Sequence, residues 1–185
     1  MRIISGNFKG KKLLQPIDKS TRPLKDLTKE SIFNIIKHSN LFNIEIKKSN
    51  ILDLFSGVGS FGLECLSRGA SLVTFFENYT NVLPILRKNI INLNFTKKAN
   101  IIEKNVFENN SLNFLDKKFD IIFMDPPYKN KNLSILLEKI IRLNLLKKNG
   151  IFIIHRHKKE KDNFPENFKI LKEKSYGISK IIYGK

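Results

Sequence analysis

Asn50-Ile-Leu-Asp53-Leu-Phe55-Ser-Gly57-Val-Gly59-Ser-Phe-Gly62 runs a short apolar, β-rich segment directly into three glycines. The pattern turns helical from Ser60 to Arg68. Four of the nine glycines, Gly57, Gly59, Gly62 and Gly69, fall within thirteen residues here, so bare backbone is required at this turn. A G-x-G-x-x-G run between a strand and a helix suits close approach of a ligand to the helix N-terminus. Glu77 lies twenty residues past Gly57, at the end of the next apolar run, where a carboxylate can accept hydrogen bonds from a ribose. Taken alone, this fits a dinucleotide site as well as a nucleoside site. Asp53 separates the two, because its carboxylate inside the strand would repel a pyrophosphate and attract a cation. S-adenosyl-L-methionine carries a sulfonium and an ammonium and no phosphate, and it is the expected cofactor.

Outward from this turn, short β-rich runs alternate with longer helical ones. Strands are expected at 50–55, 72–76, 100–103, 119–124 and 150–154, and helices at 60–68, 81–93 and 133–145, with Pro84 tolerated in a first turn. Such alternation predicts an α/β fold with a mostly parallel sheet and helices on both faces. The tail departs from it: 168–172 and 178–183 read as a closing antiparallel hairpin, with Gly177 available for the turn. At the head, 2–8 and 11–14 flank Gly10 like a hairpin, a helix is expected at 26–37, and Thr21-Arg-Pro23-Leu-Lys between them reads as a linker.

A second stretch, Asp120-Ile-Ile-Phe-Met-Asp125-Pro126-Pro127-Tyr128, is a buried strand that stops at a carboxylate, two prolines and a tyrosine. Ligands in open α/β sheets lie beyond the carboxyl ends of the strands, and Asp125 is at such an end. The prolines hold the chain extended and leave a carbonyl free to accept, while Tyr128 offers a flat face. Two acceptors and an aromatic plate suit a planar ring bearing an exocyclic NH₂. Hydrogen bonds to both hydrogens of such an amine favour the charge that develops on it during methyl transfer. No metal is needed.

Length and charge set the remaining bounds. A chain of 185 residues suits one domain, and 41% hydrophobic residues with fifteen Phe can fill its core. With 34 Lys plus Arg against 17 Asp plus Glu, the net charge is +17 and the pI about 9.9, which points to a polyanionic partner. Cys65 is the only cysteine, which excludes a disulfide framework and a cysteine metal site. No apolar run reaches the ~18 residues of a membrane span, and a cytoplasmic location is expected. His155-Arg156-His157-Lys-Lys supplies too few ligands for a metal and is expected to form an RNA-facing basic edge. Arg2, Lys9, Lys11, Lys12 and Arg22 are expected to contact phosphates.

These motifs carry a resemblance. Asp125-Pro-Pro-Tyr128 resembles the [DNS]-P-P-[YF] motif of methyltransferases acting on exocyclic base amines, and Asp53 to Gly59 resembles motif I of S-adenosylmethionine-dependent Rossmann-like enzymes. Arg2-Ile-Ile-Ser-Gly6, Phe8-Lys-Gly10-Lys-Lys-Leu, Thr21-Arg-Pro23, Glu30-Ser-Ile-Phe-Asn34 and Gly62-Leu-Glu-Cys-Leu-Ser-Arg-Gly-Ala70 are similar to segments of the RsmD family. That family methylates N2 of a guanine in 16S ribosomal RNA of the small subunit. The resemblance implies a Rossmann-like class I methyltransferase sheet of seven strands with an antiparallel last strand. It implies an N-terminal RNA-contacting extension, 1–49, and a catalytic core, 50–185, within a single domain. Cofactor contacts are implied for Asp53, Phe55, Gly57, Glu77 and Asp125, and for Gly59, with Asn105 and Val106 beside the adenine. The catalytic group is Asp125, Pro126, Pro127 and Tyr128. A small ribosomal subunit or its assembly intermediate is the implied partner, met by a monomer. The family often has Glu where His155 stands. Two other readings remain: a DNA adenine-N6 methyltransferase sharing Asp-Pro-Pro-Tyr, and a non-catalytic basic RNA-binding protein.

Overall fold

A computed structural model of the chain describes residues 1–16, 24–127 and 131–185; Arg22, Tyr128 and the first three residues of the linker, Thr21–Pro23, lie outside them. After helix α1 (Asp26–His38), strand β1 (Asn50–Leu54), helix α2 (Ser60–Ser67), strand β2 (Leu72–Phe76), helix α3 (Leu83–Asn92) and strand β3 (Ala99–Ile102) follow in order. Strand β4 (Phe119–Met124), helix α4 (Leu133–Arg142), strand β5 (Leu146–His157), strand β6 (Ile170–Tyr176) and strand β7 (Ser179–Gly184) complete the chain. Seven strands form one sheet in the order β3-β2-β1-β4-β5-β7-β6. Strands β1 to β5 run parallel, and β7 pairs antiparallel with both β5 and β6. This is the mostly parallel sheet with a closing antiparallel hairpin that the alternation and the tail predict, and the seven-stranded Rossmann-like methyltransferase sheet that the resemblance implies.

Side chains alternate across the strands, so successive residues feed two separate cores. Ile51, Val73, Phe75, Ile121, Phe123, Ile151 and Ile153 pack beneath α1, α2 and α3. Leu52, Leu54, Phe76, Ile122, Met124, Phe152 and Ile154 pack against α4 through Leu133, Leu136, Leu137 and Ile140. Both faces are covered, which is why these strands read as continuous apolar runs rather than alternating ones.

Three local expectations shift. The N-terminal hairpin is reduced to a single antiparallel bridge, Arg2 to Lys12. The reason is competition: the Ile4 and Ser5 N–H groups donate to the Glu64 carboxylate at 2.7 and 2.9 Å, and Asn7 donates to the Ser67 carbonyl. Strand β5 is twelve residues long, starting four residues before the expected 150, with a register irregularity between Phe119 and Ile121 where it meets β4. The tail hairpin is tighter than expected, since Tyr176 pairs with Ser179 and only Gly177 and Ile178 form the turn. Gly177 adopts φ 57°, which suits such a connection.

The N-terminal segment is docked on the core by buried charge. Lys29 of α1 donates to the Arg2 carbonyl at 2.6 Å and lies 3.5 Å from Glu64 of α2, both side chains being fully buried. Arg68 closes the other side of Glu64 at 2.8 Å and rests over the Phe33 ring. Burial pushes the Lys29 ammonium below its ordinary pKa, and the Glu64 charge opposes that shift.

Candidate active site

Strand order reverses between β1 and β4, which leaves a crevice beyond their carboxyl ends. A cavity of about 530 Å³ opens there. Every parallel strand contributes to it: Phe55 and Gly57 after β1, Glu77 after β2, Asn105 and Val106 after β3, Asp125 after β4, and His155 near the end of β5. The loop and the Asp-Pro-Pro corner, seventy residues apart in sequence, thus share one cavity.

The turn after β1 is held by its own carboxylates. Asp53 Oδ2 accepts the Gly62 N–H at 2.9 Å, and Glu77 Oε2 accepts the Gly57 N–H at 2.7 Å. Glu77 Oε1 also accepts from Asn78 and Tyr79, which fixes the carboxylate at the mouth. Phe55 sits at φ 63°, an uncommon conformation for a bulky residue, and packs on Phe107. The glycines divide their work. A Cβ on Gly57 would meet nothing within 4 Å, whereas one on Gly62 would stand 2.3 Å from the Phe75 ring. Gly59, also expected at the cofactor, is not among the residues lining either this cavity or the smaller one beside it, and an added Cβ there would meet Leu86 and Leu63. Its φ of 86° serves the turn that starts α2.

Asp53 is 1% exposed, and no donor among the described residues reaches its Oδ1. Burial pushes this carboxyl well above the usual carboxylate range, with the nearby Asp125 and Glu77 charges adding to it and the Gly62 N–H opposing. A smaller cavity beside it is lined by Asp53, Gly57, Ser60 and Asp125 and by Met1, Pro16 and Leu24 of the N-terminal segment. A cationic group is what such a carboxylate lacks.

At the corner after β4, Asp125 Oδ1 stands 2.7 Å from His155 Nδ1. The Pro127 carbonyl accepts from Arg156 at 3.2 Å. Arg156 therefore corrects the basic-edge expectation: it is 1% exposed, and its guanidinium pairs with Asp162 at 2.8 Å. Strand β5 lies between β4 and β7, so both its edges are paired, and its faces are packed in the two cores, so a basic residue there must find a buried partner. Lys9, Lys11 and Lys12 are exposed as expected, and Arg2 is exposed but 3.6 Å from Asp26. Sequence reasoning missed Phe76, Asn78, Tyr79, Lys104 and His155 as lining residues. The rule that sites gather at the carboxyl ends of strands would have caught all five. Among the described residues there is no cluster of His, Cys, Asp and Glu able to hold a metal, and no helix is long and apolar enough to cross a membrane.

A family model described as "Conserved hypothetical protein 95" matches residues 1–185. The ribosomal RNA small subunit methyltransferase D of Haemophilus influenzae is 34% identical over 183 residues, 96% of this chain and 90% of that protein. The chain belongs to the RsmD family. Another protein of that name, from Buchnera aphidicola, is 32% identical over 93% of this chain and 86% of its own length. A solved Escherichia coli structure superposes with a TM-score of 0.80 at 26% identity, covering all of this chain and 96% of that one. One from Haemophilus influenzae, described as a candidate methylase, gives 0.74 at 32% identity, over all of this chain and 97% of that one. The RsmD motifs thus lie on the fold that the strand order defines.

Proposed function

We propose that the protein transfers a methyl group from S-adenosyl-L-methionine to the exocyclic N2 of a guanine in small-subunit ribosomal RNA. The observation that carries this reading is the single cavity joining the Gly57 loop to Asp125-Pro126-Pro127. The residues fit the cofactor, since Asp53 has a buried oxygen that no donor among the described residues reaches, beside a turn with room at Gly57, and a cation would complete it. When bound, the cofactor supplies an electrophilic methyl group on a sulfonium. The chain's own part is to hold the amine. Asp125 accepts one N–H and the Pro126 carbonyl accepts the other, while the Pro127 carbonyl is engaged by Arg156. A stacking role for Tyr128 rests on the sequence motif alone. Both acceptors stabilise positive charge on the nitrogen, so their bonds strengthen as that charge develops. The names of the relatives support ribosomal RNA as the substrate class. Incubation with labelled cofactor and unmodified small subunits tests the reading: label must enter the RNA, and RNA without label contradicts it.

Glu77→Ala should weaken S-adenosyl-L-methionine binding by ~1–3 kcal/mol, through a lost ribose acceptor and a loosened Gly57 turn. Calorimetry giving the wild-type affinity would remove Glu77 from the cofactor site. The exposed Lys9, Lys11 and Lys12 are assigned to RNA phosphates. Neutralising them should flatten the salt dependence of RNA affinity by ~0.7–0.9 in log-log slope per lost contact. Titrations from low to moderate salt check this; parallel slopes would make these lysines a solvated face.

A further inference from the structure

We propose that His155 is a positioning residue for the methyl transfer, orienting the Asp125 carboxylate so that its Oδ2 faces the target amine. The inference rests on the reading that Asp125 accepts that amine. Parallel pairing aligns Met124 of β4 with Ile154 of β5, so the next residues, Asp125 and His155, emerge side by side beyond the matched pair. His155 is 5% exposed, walled by the sheet, while Asp125 is more open and lines the cavity. The residue paired with His155 across β7 is the apolar Ile181. An ionised carboxylate only accepts, so the 2.7 Å contact requires the proton on Nδ1. One oxygen is thereby engaged, and the rotation of the carboxylate about its Cβ–Cγ bond is restrained.

Fixing that rotation matters because Asp125 stands among other carboxyl groups. Asp53 lies close enough for the Asp125 charge to disfavour its ionisation, and Glu77 lines the same cavity. Unheld, the Asp125 carboxylate would turn away from its acidic neighbours, and a misplacement of about 1 Å can cost ~10²-fold in rate. Arg156, the next residue on β5, holds the other end of the same corner through the Pro127 carbonyl. Adjacent residues of one strand therefore fix the carboxylate and the proline backbone from opposite faces of the sheet.

Two variants test this. In His155→Asn the side-chain amide nitrogen stands near the position of Nδ1 and can still donate to Asp125. In His155→Leu the volume is kept and the donor is lost. On small subunits, the Leu variant should lose ~10- to 100-fold in kcat while its KM for RNA and its cofactor affinity stay within about twofold. The Asn variant should recover to within about threefold of wild type. Circular dichroism confirms folding. Should the Leu variant not fold, His155→Gln replaces it, because its amide nitrogen stands near Nε2 and points away from Asp125. Wild-type kcat in the Leu or Gln variant, or an Asn variant equally impaired, would overturn the role of His155 alone. An inactive wild type would overturn the methyltransferase reading, and this role with it.

Discussion

Asp125→Ala should lower kcat by ~10²–10³-fold, the loss expected when one acceptor aimed at a developing charge is removed. Cofactor affinity should stay near wild type, because the Gly57 turn is held by Asp53 and Glu77 and not by Asp125. The fold should also survive, since Asp125 follows the last residue of β4 and its backbone N–H, bonded to the Leu54 carbonyl, is untouched. Equal falls in kcat and kcat/KM would mark an interaction made in the transition state. Steady-state kinetics beside cofactor calorimetry separate the cases. A variant with normal kcat and weakened cofactor binding would make Asp125 a cofactor ligand instead.

Glu64→Ala should destabilise the fold by ~3–5 kcal/mol, the cost of stripping one partner from a buried ion pair. The Lys29 ammonium would keep its burial and lose its counter-charge, and the Ile4 and Ser5 N–H groups would lose their acceptor. For a chain of this size, the melting temperature should fall by ~6–20 °C. Lys29→Met should be milder, because Glu64 would retain Arg68 and both backbone donors. The pH dependence has a definite sign. Lys29 titrates below its ordinary value in the folded protein, so the folded state binds fewer protons than the unfolded chain as pH rises toward that value. Stability from this group therefore increases with pH, and the Glu64→Ala deficit should shrink in alkaline buffer, where the amine is buried neutral. A pH-independent deficit would mean that the lost backbone acceptors, not the stranded ammonium, carry the cost. Because Met1, Pro16 and Leu24 help wall the small cavity beside Asp53, loosening this anchor should also weaken cofactor binding.

The sheet was legible because its strands are buried on both faces and its helices carry a one-sided apolar pattern, both of which are local signals. The same holds for the Gly57 turn and for Asp125-Pro-Pro, where neighbouring residues make the shape. What escaped depends on pairing across the chain. Arg156 looked solvent-facing among His157, Lys158 and Lys159, but β5 is an interior strand and Asp162, six residues on, is its buried partner. His155 meets Asp125 across thirty residues through strand register, which no spacing rule reveals. Glu64, in an otherwise apolar helix pattern, displaces a hairpin ladder by accepting its N–H groups. Gly59 has a structural reason of its own, a positive φ at the turn and Leu86 close to where a Cβ would stand.

The central claim is that the cavity holds a methyl donor against a guanine amine of small-subunit RNA. Its most direct test is to incubate the protein with labelled S-adenosyl-L-methionine and unmodified small subunits, digest the RNA to nucleosides and identify the labelled species by mass spectrometry. The account predicts N2-methylguanosine, lost in Asp125→Ala. Label in N6-methyladenosine would contradict it.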